Sequence, residues 1–118
     1  MTAYAIAQLQ NVNICAEIVE YIERIDATLE PFDGRFLVHG GNKNVIEGAW
    51  PGDIVMIEFP DERTALAWYN SDAYQEIIAL RTNNSTCDVA IAAGVPDNHK
   101  SMDILEALWD GGAPGRIA

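Results

Sequence analysis

The sequence has 118 residues and a mass of 12.9 kDa; 49% of the residues are hydrophobic and 21% are charged, as in a single globular domain. Its 18 acidic and 7 basic residues give a net charge of −11, which disfavours binding to nucleic acid and to anionic membrane surfaces. The sequence contains no apolar run as long as a membrane span, and its first residues lack the regions of a signal peptide. With 2 Cys, we expect a cytoplasmic protein with reduced thiols.

The first part of the chain predicts a strand, a helix and a second strand. Residues Ala3 to Leu9 are apolar at nearly every position, as in a strand that is covered on both faces. Isoleucine and leucine then recur every three or four residues, which predicts an amphipathic helix over residues 12–29, ended by Pro31. After a turn at Asp33-Gly34, residues Arg35 to Gly40 predict a short strand.

The middle of the chain predicts a strand, a divided helix and a last strand. Residues Ile54 to Phe59 form the strongest strand pattern, and they follow a corner at Trp50-Pro51-Gly52, which cannot continue a ladder. Asp61 and Ser71 are both suitable N-cap residues, so we expect two helical stretches with a kink between them. Small and β-branched residues from Asp88 to Gly94 predict the last strand.

This element order predicts an α+β fold. Strand, helix, strand, strand, helix, strand is the order of a ferredoxin-like βαββαβ unit, which places both helices on one face of a four-stranded antiparallel sheet. We expect this domain to occupy residues 1–95. Residues 96–118 are expected to form an extension with a short helix, Ser101 to Trp109, and a mobile Gly-rich tail.

The other face of the sheet predicts a homodimer. Strict alternation along the strands gives that face a mixture of apolar and polar side chains that is too apolar to face water: Tyr4, Ile6, Gln8, Arg35, Leu37, His39, Ile54, Met56, Glu58, Ala90 and Ala92. A second copy of the chain would cover this face. The polar side chains enclosed there would then need partners, which predicts a cavity for a small organic ligand between the two sheets.

The same alternation nominates catalytic and ligand-binding residues. His39 and Glu58 are predicted to share a face, where they could form a carboxylate–imidazole pair for general-base chemistry or a purely structural pair. Arg35, four residues before His39, is the candidate for holding a ligand carboxylate. Further candidate ligand-binding residues are Gln8, Tyr4 and Trp50.

An aromatic tract lies around the predicted helix kink. Tyr69 and Tyr74 are candidates for orienting a ligand through their hydroxyls, although the tract is also explained by rings that fill the space between helix and sheet. Arg81, at the end of the second helical stretch, is expected to cap the helix or to pair with an acidic residue.

The sequence predicts no metal and no bound cofactor. His39, His99, Cys15 and Cys87 show none of the spacings typical of metal ligands. Phosphate-binding glycine motifs and nucleophile motifs are also absent from the sequence.

Four segments together resemble the domain-of-unknown-function 1330 family. They are GRFLVHGG (34–41), Glu47-Gly48 followed by Trp50, IVMIEFP (54–60) and AWYNSDAYQEIIALR (67–81). The resemblance covers residues 2–94 and implies a dimeric ferredoxin-like α/β barrel, but it implies no established activity. His39 stands where family members often carry Arg, and residues after Val95 lie beyond the usual end of the family.

Three functions are compatible with these features. The protein binds a metabolite without changing it, or it is a cofactor-independent enzyme in which His39 or Glu58 shuttles a proton while Arg35 positions an acidic substrate. In the third possibility, side chains fill the cavity, and the protein forms an assembly without binding a ligand. The ligand and the reaction are not specified by the sequence.

Overall fold

The structure is a computed structural model that describes residues 1–108. Its strands and α-helices follow one another as β1 (Ala3–Gln10), α1 (Ala16–Leu29), β2 (Arg35–His39), β3 (Asp53–Phe59), α2 (Glu62–Tyr69), α3 (Asp72–Thr82), β4 (Thr86–Ala93) and α4 (Ile104–Leu108). A 3₁₀ turn at Glu30–Phe32 follows α1, and another at Ser101–Asp103 precedes α4. The short C-terminal helix is thus present; its predicted end at Trp109 and the predicted Gly-rich tail lie outside the described residues.

The four strands form one antiparallel sheet in the order β2-β3-β1-β4. The predicted ferredoxin-like fold is confirmed. Helices α1, α2 and α3 cover one face of the sheet, here called the helix face, and the opposite face is called the outer face. The core lies between the helices and the helix face, with Phe59, Trp68 and Ile77 buried at its centre.

The first helix begins later than its apolar pattern predicts. Residues 12–15 are not helical, because the Asn13 N–H donates to the carbonyl oxygen of Asn84 at 2.8 Å and ties this segment to the loop after α3. Ile14 therefore lies outside the helix with 76% of its surface exposed, and Ile22 is half exposed. The buried stripe of α1 is centred on Ile18 and Ile25.

The predicted break between the second and third helices is confirmed. Asp61 caps α2, where its Oδ1 accepts a hydrogen bond from the Thr64 N–H at 2.7 Å. Ser71 caps α3, where its Oγ accepts from the Tyr74 N–H at 3.2 Å. These bonds satisfy N–H groups that the first turn of a helix leaves without partners.

A β-bulge in β2 changes the face on which His39 lies. Phe36 pairs with Ile57 and Val38 pairs with Met56. Ile57 and Met56 are adjacent in β3, so Leu37 is an extra residue in β2 with no partner in β3. One extra residue reverses the alternation of the residues that follow it. His39 consequently lies on the helix face, and the prediction that it shares the outer face with Glu58 and Arg35 is wrong.

Candidate ligand-binding site

A cavity of about 340 Å³ lies between the helices and the helix face of the sheet. Small side chains on the central strand, Ala5 and Ala7, leave space beneath α1 and α3. Most of the lining is apolar, and it includes Ala5, Ala7, Leu9, Ile18, Ile22, Val55, Ile57 and Val89. An apolar space with few polar groups is typical of a site for a small organic molecule.

Three polar side chains meet in the wall of this cavity. The hydroxyl oxygens of Tyr21 and Tyr74 are 2.7 Å apart. Arg81 Nη2 donates to the Tyr74 hydroxyl at 3.4 Å, and the Arg81 guanidinium carbon lies 5.9 Å from the centre of the Tyr21 ring. We call these residues the Arg81 cluster; all three line the cavity.

The guanidinium of Arg81 is buried without an acidic partner among residues 1–108. Only 5% of the residue is exposed, and the ion pairs in this part of the chain are those of Arg24 with Glu20 and Glu76, and of Arg35 with Glu58. An isolated buried charge costs several kcal/mol in lost hydration, and a cation–π contact returns only about 1 to 2 kcal/mol of it.

Burial also controls protonation in the cluster. It raises the pKa of the Tyr21 phenol well above its ordinary value, and the adjacent Tyr74 hydroxyl adds to this rise. Burial alone lowers the pKa of Arg81, but the oxygen atoms of Tyr74 and Tyr21 outweigh it and keep the guanidinium protonated. At neutral pH the Arg81 guanidinium is therefore charged and the Tyr21 phenol is neutral.

Aromatic packing fixes the position of Tyr74. Its ring centroid lies 4.2 Å from that of Trp68 and 5.5 Å from that of Tyr69. Trp68 is itself held by a hydrogen bond from its Nε1 to Thr28 Oγ1 at 3.0 Å. The aromatic tract thus fills the space between helix and sheet, and it also places the Tyr74 hydroxyl beside Arg81.

Polar groups of a different kind lie at the rim of the cavity. His39, Asp53, Gly40 and Gly41 contribute to the lining there, and all of these residues except Gly40 are exposed. The His39 ring stacks on Phe36, with centroids 4.2 Å apart and an angle of 11° between the planes. The interior of the cavity is therefore cationic, and its rim holds an imidazole and a carboxylate.

The structure separates the residues nominated from the sequence into two groups. His39, Tyr69 and Tyr74 line the helix-face cavity, whereas Tyr4, Gln8, Arg35 and Glu58 belong to the outer face. Since the sheet separates the two faces, His39 and Glu58 cannot act as the predicted carboxylate–imidazole pair.

On the outer face, Arg35 and Glu58 bind each other. Arg35 Nε donates to Glu58 Oε1 at 3.0 Å, and this hydrogen bond raises the pKa of the Arg35 guanidinium. Gln8 Oε1 accepts from the Gly52 N–H at 3.3 Å. Gln8, Trp50 and Met56 line a shallow depression of about 430 Å³.

The sequence pattern predicted a helix-capping or ion-pairing role for Arg81 and indicated no role for Tyr21. A signal for Arg81 was present, because Tyr74, Ile77 and Arg81 recur at steps of three and four and so share one stripe of α3. All three are buried. A charged residue within an apolar stripe is the pattern that would have directed attention to this position.

The remaining titratable residues show little that resembles a reactive centre. Cys15 and Cys87 are free thiols, and burial raises the pKa of Cys87 although Arg81 acts in the opposite direction. Within residues 1–108, no cluster of three or more His, Cys, Asp or Glu side chains is arranged to hold a metal ion.

Over the same residues, no helix has the length and apolar character needed to cross a membrane.

Comparison with protein families identifies the chain. The family model described as "Domain of unknown function (DUF1330)" matches residues 2–95. The chain belongs to this family. The resemblance seen in the four sequence segments is thus confirmed, whereas no functionally curated protein matches the chain.

Solved structures share the fold of this DUF1330 chain at low sequence identity. A dimeric ferredoxin-like protein of unknown function from Jannaschia sp. CCS1 has a TM-score of 0.62 and 13% identity, over 80% of this chain and 100% of the other. A protein of unknown function from Rhodopseudomonas palustris gives 0.59 and 11%, over 80% and 83%. A cofactor-independent oxygenase from Streptomyces nogalater gives 0.50 and 11%, over 84% and 96%. These similarities concern the fold alone.

Proposed function

We propose that this protein binds a small organic molecule in the cavity between its helices and its sheet. The observation that carries the proposal is the buried Arg81 cluster in an apolar cavity of about 340 Å³. Binding sites for small molecules commonly fall between about 300 and 1,000 Å³ and combine an apolar lining with a few polar groups. The site thus lies on the opposite side of the sheet from the one that the sequence predicted.

The division of labour in such a site follows from its lining. Aliphatic side chains, such as Ile18 and Val55, would release water when an apolar ligand body covers them, which supplies binding free energy in proportion to the area buried. The Arg81 cluster would fix the orientation of the ligand, because its donors occupy set positions.

Filling the cavity tests the proposal. In the Ala7→Phe variant the new ring occupies the space above β1, and we expect binding of benzoate, benzamide, hexanoate and hexanamide, followed by ligand-observed NMR, to weaken at least about tenfold. Ala67→Phe on the exposed side of α2 is the matched control and should bind like the wild type. Circular dichroism checks that both variants fold. Failure of all four probes to bind the wild type, or equal binding to Ala7→Phe, would overturn the proposal.

A second candidate function is cofactor-independent catalysis with His39 as the proton carrier. It is favoured by the position of this imidazole at the cavity rim, where a histidine can exchange protons near neutral pH. Glu58 has no part in this version, because it lies on the outer face and pairs with Arg35. One protein of similar fold, from Streptomyces nogalater, is a cofactor-independent oxygenase.

The His39→Gln variant separates catalysis from binding. Gln keeps a polar side chain but cannot carry a proton at neutral pH, so a catalytic role predicts loss of turnover of any substrate found, with unchanged ligand affinity and melting temperature. Unchanged turnover would remove His39 from catalysis and leave the binding function in place.

We also propose that the protein is a homodimer through its outer face. Ile6 and Leu37 on this side are 37% and 42% exposed, and Met56 lies between their strands. The ferredoxin-like protein from Jannaschia sp. CCS1 is dimeric, which supports dimerisation. We retain residues 1–95 as the ferredoxin-like α/β-barrel domain, residues 96–118 as a C-terminal extension and the cytoplasm as the location; these assignments remain predictions.

A further inference from the structure

We infer that the ligand of the cavity is an organic acid whose carboxylate binds the Arg81 cluster. This inference rests on the proposed binding function and adds the chemical class of the ligand. It is carried by a buried cation, in a cavity wall, that has no acidic partner within residues 1–108.

Comparison with Arg24 and Arg35, the arginines that form ion pairs, shows why Arg81 is unusual. The side chains of Arg24 and Arg35 are 42% and 69% exposed, so water hydrates them, and each also contacts a glutamate. Arg81 is buried and contacts the side chains of two tyrosines instead. Buried charges in proteins are normally paired, so an anion supplied by a ligand is the missing partner that the site would accept.

Hydrogen bonding in the cluster suits a carboxylate. A guanidinium has five N–H donors and no hydrogen-bond acceptor. One of its nitrogens, Nη2, is directed at the Tyr74 hydroxyl. When Tyr74 accepts from Arg81 and donates to Tyr21, the Tyr21 O–H is left to donate to a further acceptor. Guanidinium and phenol donors together can satisfy both oxygens of a carboxylate.

The charges around the cavity also predict the orientation of the ligand. Arg81 lies next to Cys87 on the β4 side, whereas Asp53 lies on β3, with β1 between them. Cys87 on β4 and Asp53 on β3 are therefore two strand spacings apart, which is about 10 Å. The Asp53 carboxylate at the rim would repel an anion, so the carboxylate should enter first and the rest of the molecule should lie toward the rim and His39.

Other groups near Arg81 do not neutralise it. The Cys87 thiol beside Arg81 is neutral, because burial raises its pKa. The alternative is that the Arg81 side chain serves only the fold, through its contacts with Tyr74 and Tyr21. A structural role of this kind predicts no preference for acids over neutral ligands.

Matched acids and amides distinguish the two roles. Isothermal titration should show that benzoate and hexanoate bind the wild type at least about tenfold more tightly than benzamide and hexanamide, because the members of each pair differ mainly in charge. In Arg81→Met, which keeps much of the side-chain length, this preference should vanish, because the affinity for each acid falls to that for its amide. The matched control, Arg24→Met on exposed α1, should keep the wild-type preference.

The outcomes separate this inference from the proposed function. Equal affinity of acids and amides for the wild type would overturn the carboxylate assignment and leave the binding cavity intact. An acid preference that survives in folded Arg81→Met would also overturn it, whereas absence of binding by all four probes would overturn both proposals. Should Arg81→Met not fold, Arg81→Lys takes its place: it retains one charge without the forked donors, and a preference unchanged from the wild type would count against the proposed geometry.

Discussion

The hydroxyl oxygens of Tyr21 and Tyr74 lie 2.7 Å apart and connect α1 to α3, although the two residues are 53 positions apart in the sequence. This contact brings α1 and α3 together over the cavity, and their rings meet edge to face with centroids 6.2 Å apart. Arg81, further along α3, donates a hydrogen bond to the same Tyr74 hydroxyl. The polar groups that line the cavity are therefore also part of the contact between the helices.

Removing these hydroxyls should reveal their coupling. We expect Tyr21→Phe to lower the free energy of unfolding by about 1 kcal/mol, since it leaves the Tyr74 hydroxyl without this partner. Tyr74→Phe should cost more, because it also removes the acceptor of the buried Arg81 guanidinium. The double variant should cost less than the sum of the single changes by about 1 kcal/mol, as measured by urea unfolding. Tyr69→Phe is the control, because the Tyr69 hydroxyl forms no hydrogen bond within the described residues. Additive effects would show that the two hydroxyls do not interact.

An acidic side chain on the outer face should separate the proposed dimer. Met56 is partly buried in the single chain and lies opposite Ile6 in the neighbouring strand, so Met56→Asp would place a charge in the centre of the interface. Sedimentation velocity should then detect monomers, whereas Leu66→Asp on the exposed side of α2 should leave the dimer intact. A Met56→Asp protein that still sediments as a dimer would place the interface elsewhere.

The sequence predicted the elements whose local signals agree with the tertiary structure. Asp61 and Ser71 are N-caps in both the prediction and the structure, because a cap depends on residues within one turn. The start of α1 was missed because a distant loop residue, Asn84, binds the Asn13 N–H. Such a contact between separate parts of the chain leaves no trace in the spacing of isoleucines.

The site was harder to predict than the fold. A single extra residue, Leu37, moved His39 to the other face, and alternation alone does not show where a bulge occurs. Arg81 was predicted to cap the helix or to pair with an acidic residue, because basic side chains near a helix C-terminus commonly bond its last carbonyl groups. Its burial results from the packing of α3 against α1, which a local pattern does not determine.

Gly52 should tolerate no side chain. A Cβ at this position would lie 2.4 Å from Gln8 Cγ and 2.8 Å from the Leu9 carbonyl oxygen, so the corner before β3 must shift to accept alanine. We expect Gly52→Ala to lower the free energy of unfolding by about 2 kcal/mol, within the range for overpacked sites. In Gly41→Ala the new methyl group meets no atom within 4 Å, so this control isolates the cost of positive φ. A Gly52→Ala cost no larger than that of the control would show that the corner yields easily.

The cap of α2 should make stability depend on pH in a defined direction. The hydrogen bond from Thr64 lowers the pKa of Asp61 below its ordinary value of 3.8, which means that the folded protein favours the ionised carboxylate. The stabilisation is therefore present above about pH 4 and is lost as the pH falls through the folded-state pKa. Asp61→Asn is the matched control, since its amide oxygen can still accept from Thr64 but does not titrate. Urea unfolding of both proteins between pH 2 and about pH 7 should give a stability difference that shifts in favour of Asn as the pH falls, and a difference that stays constant over this range would contradict the role of the Asp61 charge.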